Sequence, residues 1–199
     1  MNTFRAPDHL VVHETDHWII NHRVNSALPG YFMVGSKMNT NDLSHLPKES
    51  LSELGSHLAK LQQIITELLS PLHIYVGRYG HMTGHTIHFH VIPVYDWVAR
   101  AFDSDDRYRT LRQFYTEGVY EDGSDTTFDG AEMTLFIWRE FCESRNPPEI
   151  HGPSVQKIVE TVRKRFVQVQ ERSAPTGHNL FNFISTFFQP RRWARIKRS

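Results

Sequence analysis

Residues 85–93, His-Thr-Ile-His-Phe-His-Val-Ile-Pro, alternate between two kinds of side chain without a break. Successive side chains of a strand point to opposite faces, so Ile87, Phe89 and Val91 share one face and Thr86, His88, His90 and Ile92 the other. A strand with an apolar face must cover it, and a one-residue slip would turn that face to water. The chain therefore needs a sheet with a core packed on it. The same alternation brings two imidazoles together, directly after the glycine-rich segment Gly77-Arg-Tyr-Gly-His-Met-Thr-Gly84.

A cover for that sheet is legible upstream. Between Pro47 and Ser70, Leu51, Leu54, Leu58, Leu61, Ile65 and Leu68 recur at steps of three and four. That spacing predicts one long amphipathic helix. Pro47 suits its first turn, Glu49 and Glu53 suit the positive end of its dipole, and Pro71 stops it. Short strands are expected at 10–14, 18–22, 31–35 and 72–76, with turns at Glu14-Thr-Asp16 and Leu28-Pro-Gly30. Strands, one long helix and further strands predict an α+β fold with an antiparallel sheet.

After Trp97 the pattern changes. The acidic run Asp103–Asp106 is expected to start a short helix reaching Leu111 and Phe114. A second helix is expected over 130–144, capped by Asp129, with Met133, Phe136, Ile137, Trp138 and Phe141 inward. Asn146-Pro-Pro148 breaks it. A third, over 153–169, carries Val155, Ile158, Val159, Val162 and Phe166 on one face. The expected organisation is a catalytic domain over 1–99, a helical extension over 100–170 packed on its sheet, and a basic, aromatic tail over 171–199.

Lysine plus arginine and aspartate plus glutamate each number 22. The whole chain therefore has no charge bias toward nucleic acid or membrane. The tail combines Phe181, Phe183, Ile184, Phe187 and Phe188 with Arg191, Arg192, Arg195, Lys197 and Arg198. Docking of those phenylalanines on the chain's own domain or a partner subunit is favoured over a nucleic-acid or membrane contact. One cysteine, Cys142, precludes an internal disulfide and reads as core. With no apolar run suited to a signal peptide or a membrane span, a cytoplasmic protein is expected. His9, His13, His17, His45, His57 and His73 share no spacing and read as surface or cap residues.

The loop and the histidine strand together suit phosphate chemistry. Glycines at 80 and 84 let backbone N–H groups approach an anion. Arg78 can hold phosphate oxygens with its forked donors, and Thr83 and Thr86 add hydroxyls. A neutral imidazole in such a cradle is a competent nucleophile near neutral pH, and a phosphoryl-histidine is readily hydrolysed. The second imidazole can hydrogen-bond a phosphate oxygen or the leaving group. His81 and His85 lie within reach of the same anion.

Gly84-His-Thr-Ile-His88-Phe-His90-Val-Ile-Pro93 resembles the His-x-His-x-His motif of the histidine triad superfamily. The resemblance extends upstream through Trp18-Ile-Ile-Asn-His-Arg23, Pro29-Gly-Tyr-Phe-Met-Val34 and the helix at 47–70, and covers about the first half of the chain. It implies a nucleotidyl hydrolase or transferase acting as a homodimer. It assigns His88 as the nucleophile forming a nucleotidyl-histidine, His90 as a phosphate contact, and Asn21 as a neighbour of the ribose. Thr86 stands where the motif has its first histidine, and Tyr31 where the family often has one after Pro-Gly. Their hydroxyls can hydrogen-bond, and His85 or His22 could take over proton transfer. Histidine rather than glutamine at position 90 favours hydrolysis.

The expected reaction cleaves at the α-phosphate of a nucleoside phosphoramidate or a dinucleoside polyphosphate. It calls for no metal and no cofactor. Two other readings stand beside it: a nucleotide-binding regulator with weak turnover, and a zinc site built from His88 and His90 with His81 or His85. No acid lies in 77–95 to orient such ligands, which counts against zinc.

Overall fold

The computed structural model describes residues 4–79, 86–105, 107–108 and 130–173. The chain divides into two compact units, Met1–Phe166 and Val167–Ser199. In the first, five strands form one sheet: β1 (Val11–Glu14), β2 (Trp18–His22), β3 (Phe32–Ser36), β4 (His73–Gly77) and β5 (His88–Val94). Their spatial order is β1-β2-β3-β5-β4, and every pairing is antiparallel. The long helix α1 (Lys48–Leu69) and β4 lie between β3 and β5 in sequence. The histidine strand is therefore bonded on both sides, which fixes its backbone more firmly than an edge position could.

Each face of the sheet has its own core. On one, Ile20, Val34, Ile87 and Val91 meet Leu61, Ile64 and Ile65 of α1 and Ile158, Val159, Val162 and Phe166 of a C-terminal helix, Val155–Ser173. On the other, Met33, Ile92 and Val94 meet Val98 and Phe102 of α2 (Asp96–Ser104) and Met133, Phe136 and Ile137 of α3 (Gly130–Trp138). The C-terminal helix is α4. A π-helical turn, Arg139–Glu143, continues α3 and buries Phe141. Truncating a fully buried side chain such as Leu61 to alanine is expected to cost about 2–5 kcal/mol. Among the described residues, no helix is long and apolar enough to cross a membrane.

The α+β fold with one long helix and further helices downstream is as the pattern predicts. Details differ. Leu51 is 42% exposed, whereas Ser50, His57 and Ile64 of α1 are buried. The indole N–H of Trp18 donates to the Ser50 carbonyl at 2.9 Å, drawing the first turn of α1 onto β2 and rolling Leu51 outward. The helix stops at Leu69. Ser70, before Pro71, takes the left-handed conformation with φ 46°. Helix α2 begins before the acidic run, because Val98 and Phe102 supply its buried side at a four-residue step. Leu111 and Phe114, the tail beyond Ser173, and the cap at Asp129 lie outside the described residues.

Candidate active site

Strand parity assembles the site. In antiparallel pairs, directly opposed residues point to the same face. Asn21 opposes Met33, Met33 opposes His90, and His90 opposes Gly77, which makes one row across four strands. In the next row Ile19, Gly35 and His88 are opposed. Continuing by twos adds Arg23, Tyr31 and Tyr79 to the same face. A cavity of about 350 Å³ lies there, and Asn21, Arg23, Tyr79, His88, His90 and Trp138 are among its lining residues.

Two glycines make room over the imidazoles. A Cβ on Gly35, opposite His88, would fall within the ring of Phe4, which stacks on His88 at 6.1 Å between centroids. A Cβ on Gly77, opposite His90, would collide with the Tyr79 ring, which meets His90 edge-on at 5.2 Å. Backbone without side chains at these two points lets aromatic rings wall the cavity.

The two imidazoles lie 5.2 Å apart, centroid to centroid, and are held in opposite tautomers. Nδ1 of His88 is 2.8 Å from the Thr86 carbonyl, which can only accept, so Nδ1 carries the proton and the lone pair is on Nε2. Nδ1 of His90 is 2.8 Å from the Tyr31 hydroxyl. That hydroxyl accepts from Nη1 of Arg23 at 2.7 Å and so has its own proton to give to His90. His90 then accepts at Nδ1 and carries its proton on Nε2. Burial, then the nearby Arg23 charge and His88, push its pKa down to about 3, so the ring is neutral at physiological pH. Burial raises the Tyr31 phenol well above its usual value, which keeps it a donor. Nε2 of His90 is buried and, among the described residues, has no hydrogen-bond partner.

Asn21 lines the cavity at 1% exposure. Its Nδ2 donates to the His22 carbonyl at 2.7 Å, and its Oδ1 is buried without a partner among the described residues. Thr86 contributes its carbonyl rather than its hydroxyl, is buried, and precedes β5. Arg78 is not among the described lining residues: Nη2 donates to the carbonyl and to Oδ1 of Asn41, the latter at 2.9 Å. Parity gives the reason, since Gly77 and Tyr79 take the cavity side and residue 78 turns away. His22 is likewise on the opposite face, buried, with its ring nitrogens each 3.0 Å from the carbonyls of Arg23 and Leu28. It is not placed to substitute for a missing histidine. His81, Thr83, Gly84 and His85 lie outside the described residues.

Arg23, Tyr79 and Trp138 had no assigned role in the sequence reading. The signal for Arg23 was present: it is two residues beyond Asn21 on a strand. Trp138 arrives from α3, and no local pattern ties it to β5. Among the described residues, no group of three or more histidine, cysteine, aspartate or glutamate side chains is arranged to hold a metal ion.

The architecture is that of an α+β, histidine-triad-like protein. Residues 5–96, a little under half of the chain, match the family model of the HIT domain. The chain is also similar to several solved structures. A zinc-bound histidine triad family protein from Mycobacterium smegmatis is 14% identical, with 84% of this chain and 89% of that one covered and a TM-score of 0.46. A hypothetical histidine triad nucleotide-binding protein from Sulfolobus tokodaii is 12% identical, with the same coverage and a TM-score of 0.47. A HIT-like protein from Bartonella henselae, involved in cell-cycle regulation, is 22% identical over 44% of this chain and 70% of that one, with a TM-score of 0.39. No curated protein matches the chain.

Proposed function

We propose that this protein is a nucleotidyl hydrolase that cleaves at the α-phosphate of a nucleoside phosphoramidate or dinucleoside polyphosphate through a nucleotidyl-His88 intermediate. The observation that carries the reading is the pair of opposite tautomers on one cavity wall. His88 supplies a lone pair at Nε2, and His90 supplies an N–H donor at Nε2.

In the first step the Nε2 lone pair of His88 forms a bond to the α-phosphorus, and the bond from phosphorus to the leaving group breaks in line with it. The leaving group departs with that electron pair and, if it is an amine, takes a proton from solvent. The imidazole becomes positively charged as it is phosphorylated. The Thr86 carbonyl, 2.8 Å from Nδ1–H, stabilises that charge. The Nε2–H of His90 donates to a non-bridging oxygen, and the Arg23–Tyr31 chain holds the ring in the tautomer that can do so. Water then attacks phosphorus and gives up a proton to solvent, the P–Nε2 bond breaks, its electron pair returns to His88, and a nucleoside monophosphate is released. None of these steps uses a metal. The reading includes a homodimer, as the family resemblance implies; sedimentation velocity checks it.

The test is to mix the protein with adenosine 5′-phosphoramidate or diadenosine tetraphosphate, quench with base, and search the peptides for adenylate on His88. Adenylate on His88, absent in His88→Asn, is expected. Turnover unaffected by His88→Asn would overturn the mechanism, and nucleotide binding with no turnover would favour a regulatory role.

A further inference from the structure

Arg23 has more hydrogen-bonding capacity than its neighbours use. Its Nε donates to Oδ1 of Asn25 at 2.9 Å and its Nη1 to Tyr31 at 2.7 Å. Among the described residues no acceptor is bonded to Nη2 and no carboxylate pairs with the charge. The guanidinium is half-buried and lies against two rings, with its central carbon 5.1 Å from the Tyr31 centroid and 4.8 Å from that of Trp138. These two ring contacts and the two hydrogen bonds restrict the fork and lower the entropy lost when an anion is bound. The Nε1–H of Trp138 is also buried without a hydrogen-bond partner among the described residues.

The same cavity includes Arg5, and its described lining residues contain no aspartate or glutamate. A pocket with two arginines and no acid among its described lining residues favours more negative charge than one phosphodiester carries. His88 and His90 already account for the phosphate under attack.

Resting on the proposed function, we infer that Arg23 and the indole N–H of Trp138 form a second oxyanion subsite, which selects substrates whose leaving group is itself anionic. Trp138 reaches this subsite from α3, beyond the residues 5–96 matched to the HIT domain. Its ring lies against the Arg23 fork, and its N–H supplies a neutral donor beside the charge. A phosphate on the leaving group satisfies both. An uncharged amine leaves both unsatisfied, and a buried donor without a partner is costly.

Two measurements test this. The first is calorimetric binding of inorganic tripolyphosphate to the full chain, to Arg23→Gln and to Trp138→Phe, each checked for folding by thermal melting. Trp138→Phe removes the donor and keeps an aromatic ring near Arg23, though a smaller one. Each variant is expected to weaken binding by roughly tenfold, the worth of one charge-assisted hydrogen bond. The second is the ratio of kcat/KM for diadenosine tetraphosphate over adenosine 5′-phosphoramidate, which share the attacked group and differ in leaving-group charge. That ratio is expected to fall by about the same factor in both variants. Unchanged tripolyphosphate affinity overturns the subsite, and an unchanged ratio overturns its assignment to the leaving group. If neither nucleotide labels His88, the proposed function fails, while the tripolyphosphate measurement still decides whether the anion site exists.

Discussion

The molecule holds two histidine pairs of nearly the same shape. The rings of His88 and His90 lie 5.2 Å apart at 63°, and those of His13 and His57 lie 5.2 Å apart at 66°. Their surroundings differ. Around the first pair, a carbonyl and a phenol fix the two tautomers and a cavity opens in front. Around the second, His13 stacks on Phe166 at 4.7 Å, Lys60 lies over the same ring, and His57 sits 3.6 Å from Glu53. Glu53 also accepts from Thr15 at 2.8 Å. One pair is arranged toward an open space, and the other is packing between a strand, α1 and α4. Two imidazoles side by side are not a site in themselves. The groups behind them and the space before them decide.

Substitution can break that contrast. The largest effect is expected at His88: His88→Asn lowers kcat/KM by at least about 10⁴-fold, as loss of a nucleophile does, while its urea midpoint stays near that of the parent. His57→Gln is the counterpart. It lowers the urea midpoint and leaves kcat within about twofold, since His57 lies on the opposite face of the sheet; steady-state assays on both proteins make the comparison.

Next in size is Tyr31→Phe. It removes the proton donor to His90 Nδ1, so turnover is expected to fall by roughly 10- to 100-fold, in the range of losing a hydrogen bond that positions a catalytic group. Nitrogen-15 NMR of the imidazoles gives a direct reading. In the parent protein His88 is protonated at Nδ1 and His90 at Nε2; in the variant the His90 preference weakens. An identical His90 tautomer in both would show that the phenol does not set it.

The smallest effect concerns acid. Burial is the main cause that pushes His13 down to about 4, with His57 and Lys60 adding to it and Glu53 opposing it. Burial also lowers His57. Their unfolded values are near 6.5. The unfolded chain therefore binds protons that the native state refuses. Stability is full above about pH 6.5 and falls as pH drops toward about 4, where His13 itself titrates in the folded state. Urea midpoints between pH 7 and 4.5 are expected to fall, and His13→Gln to flatten that slope. His90, held near 3, adds to the same acid sensitivity.

These pairs also mark how far the sequence could be read. The alternation at 85–93 and the stripe of α1 were plain, because a strand repeats every two residues and a helix every 3.6. Both periods are local, and the sheet with its long helix follows from them. The facing of His88 and His90 was legible for the same reason, whereas Tyr31 and Asn21 were named only through the family resemblance. His57 and His13, far apart in sequence, read as surface residues. His57 is buried beside His13, and His13 is half-buried against Phe166 of α4. Arg78 looked like the phosphate ligand because it adjoins the glycines, yet its side chain turns to Asn41.

By itself, then, the sequence determined the α+β fold and the facing of His88 and His90, since both depend on periodicity along one segment. Tertiary structure decided the rest. The tautomers depend on a carbonyl two residues back and on a phenol 59 positions away. The second ring against Arg23 is a tryptophan from α3. A hydrogen bond or a stacked ring acts over a few ångströms regardless of separation along the chain, so only the folded arrangement could choose Arg23 and leave Arg78 outside the cavity.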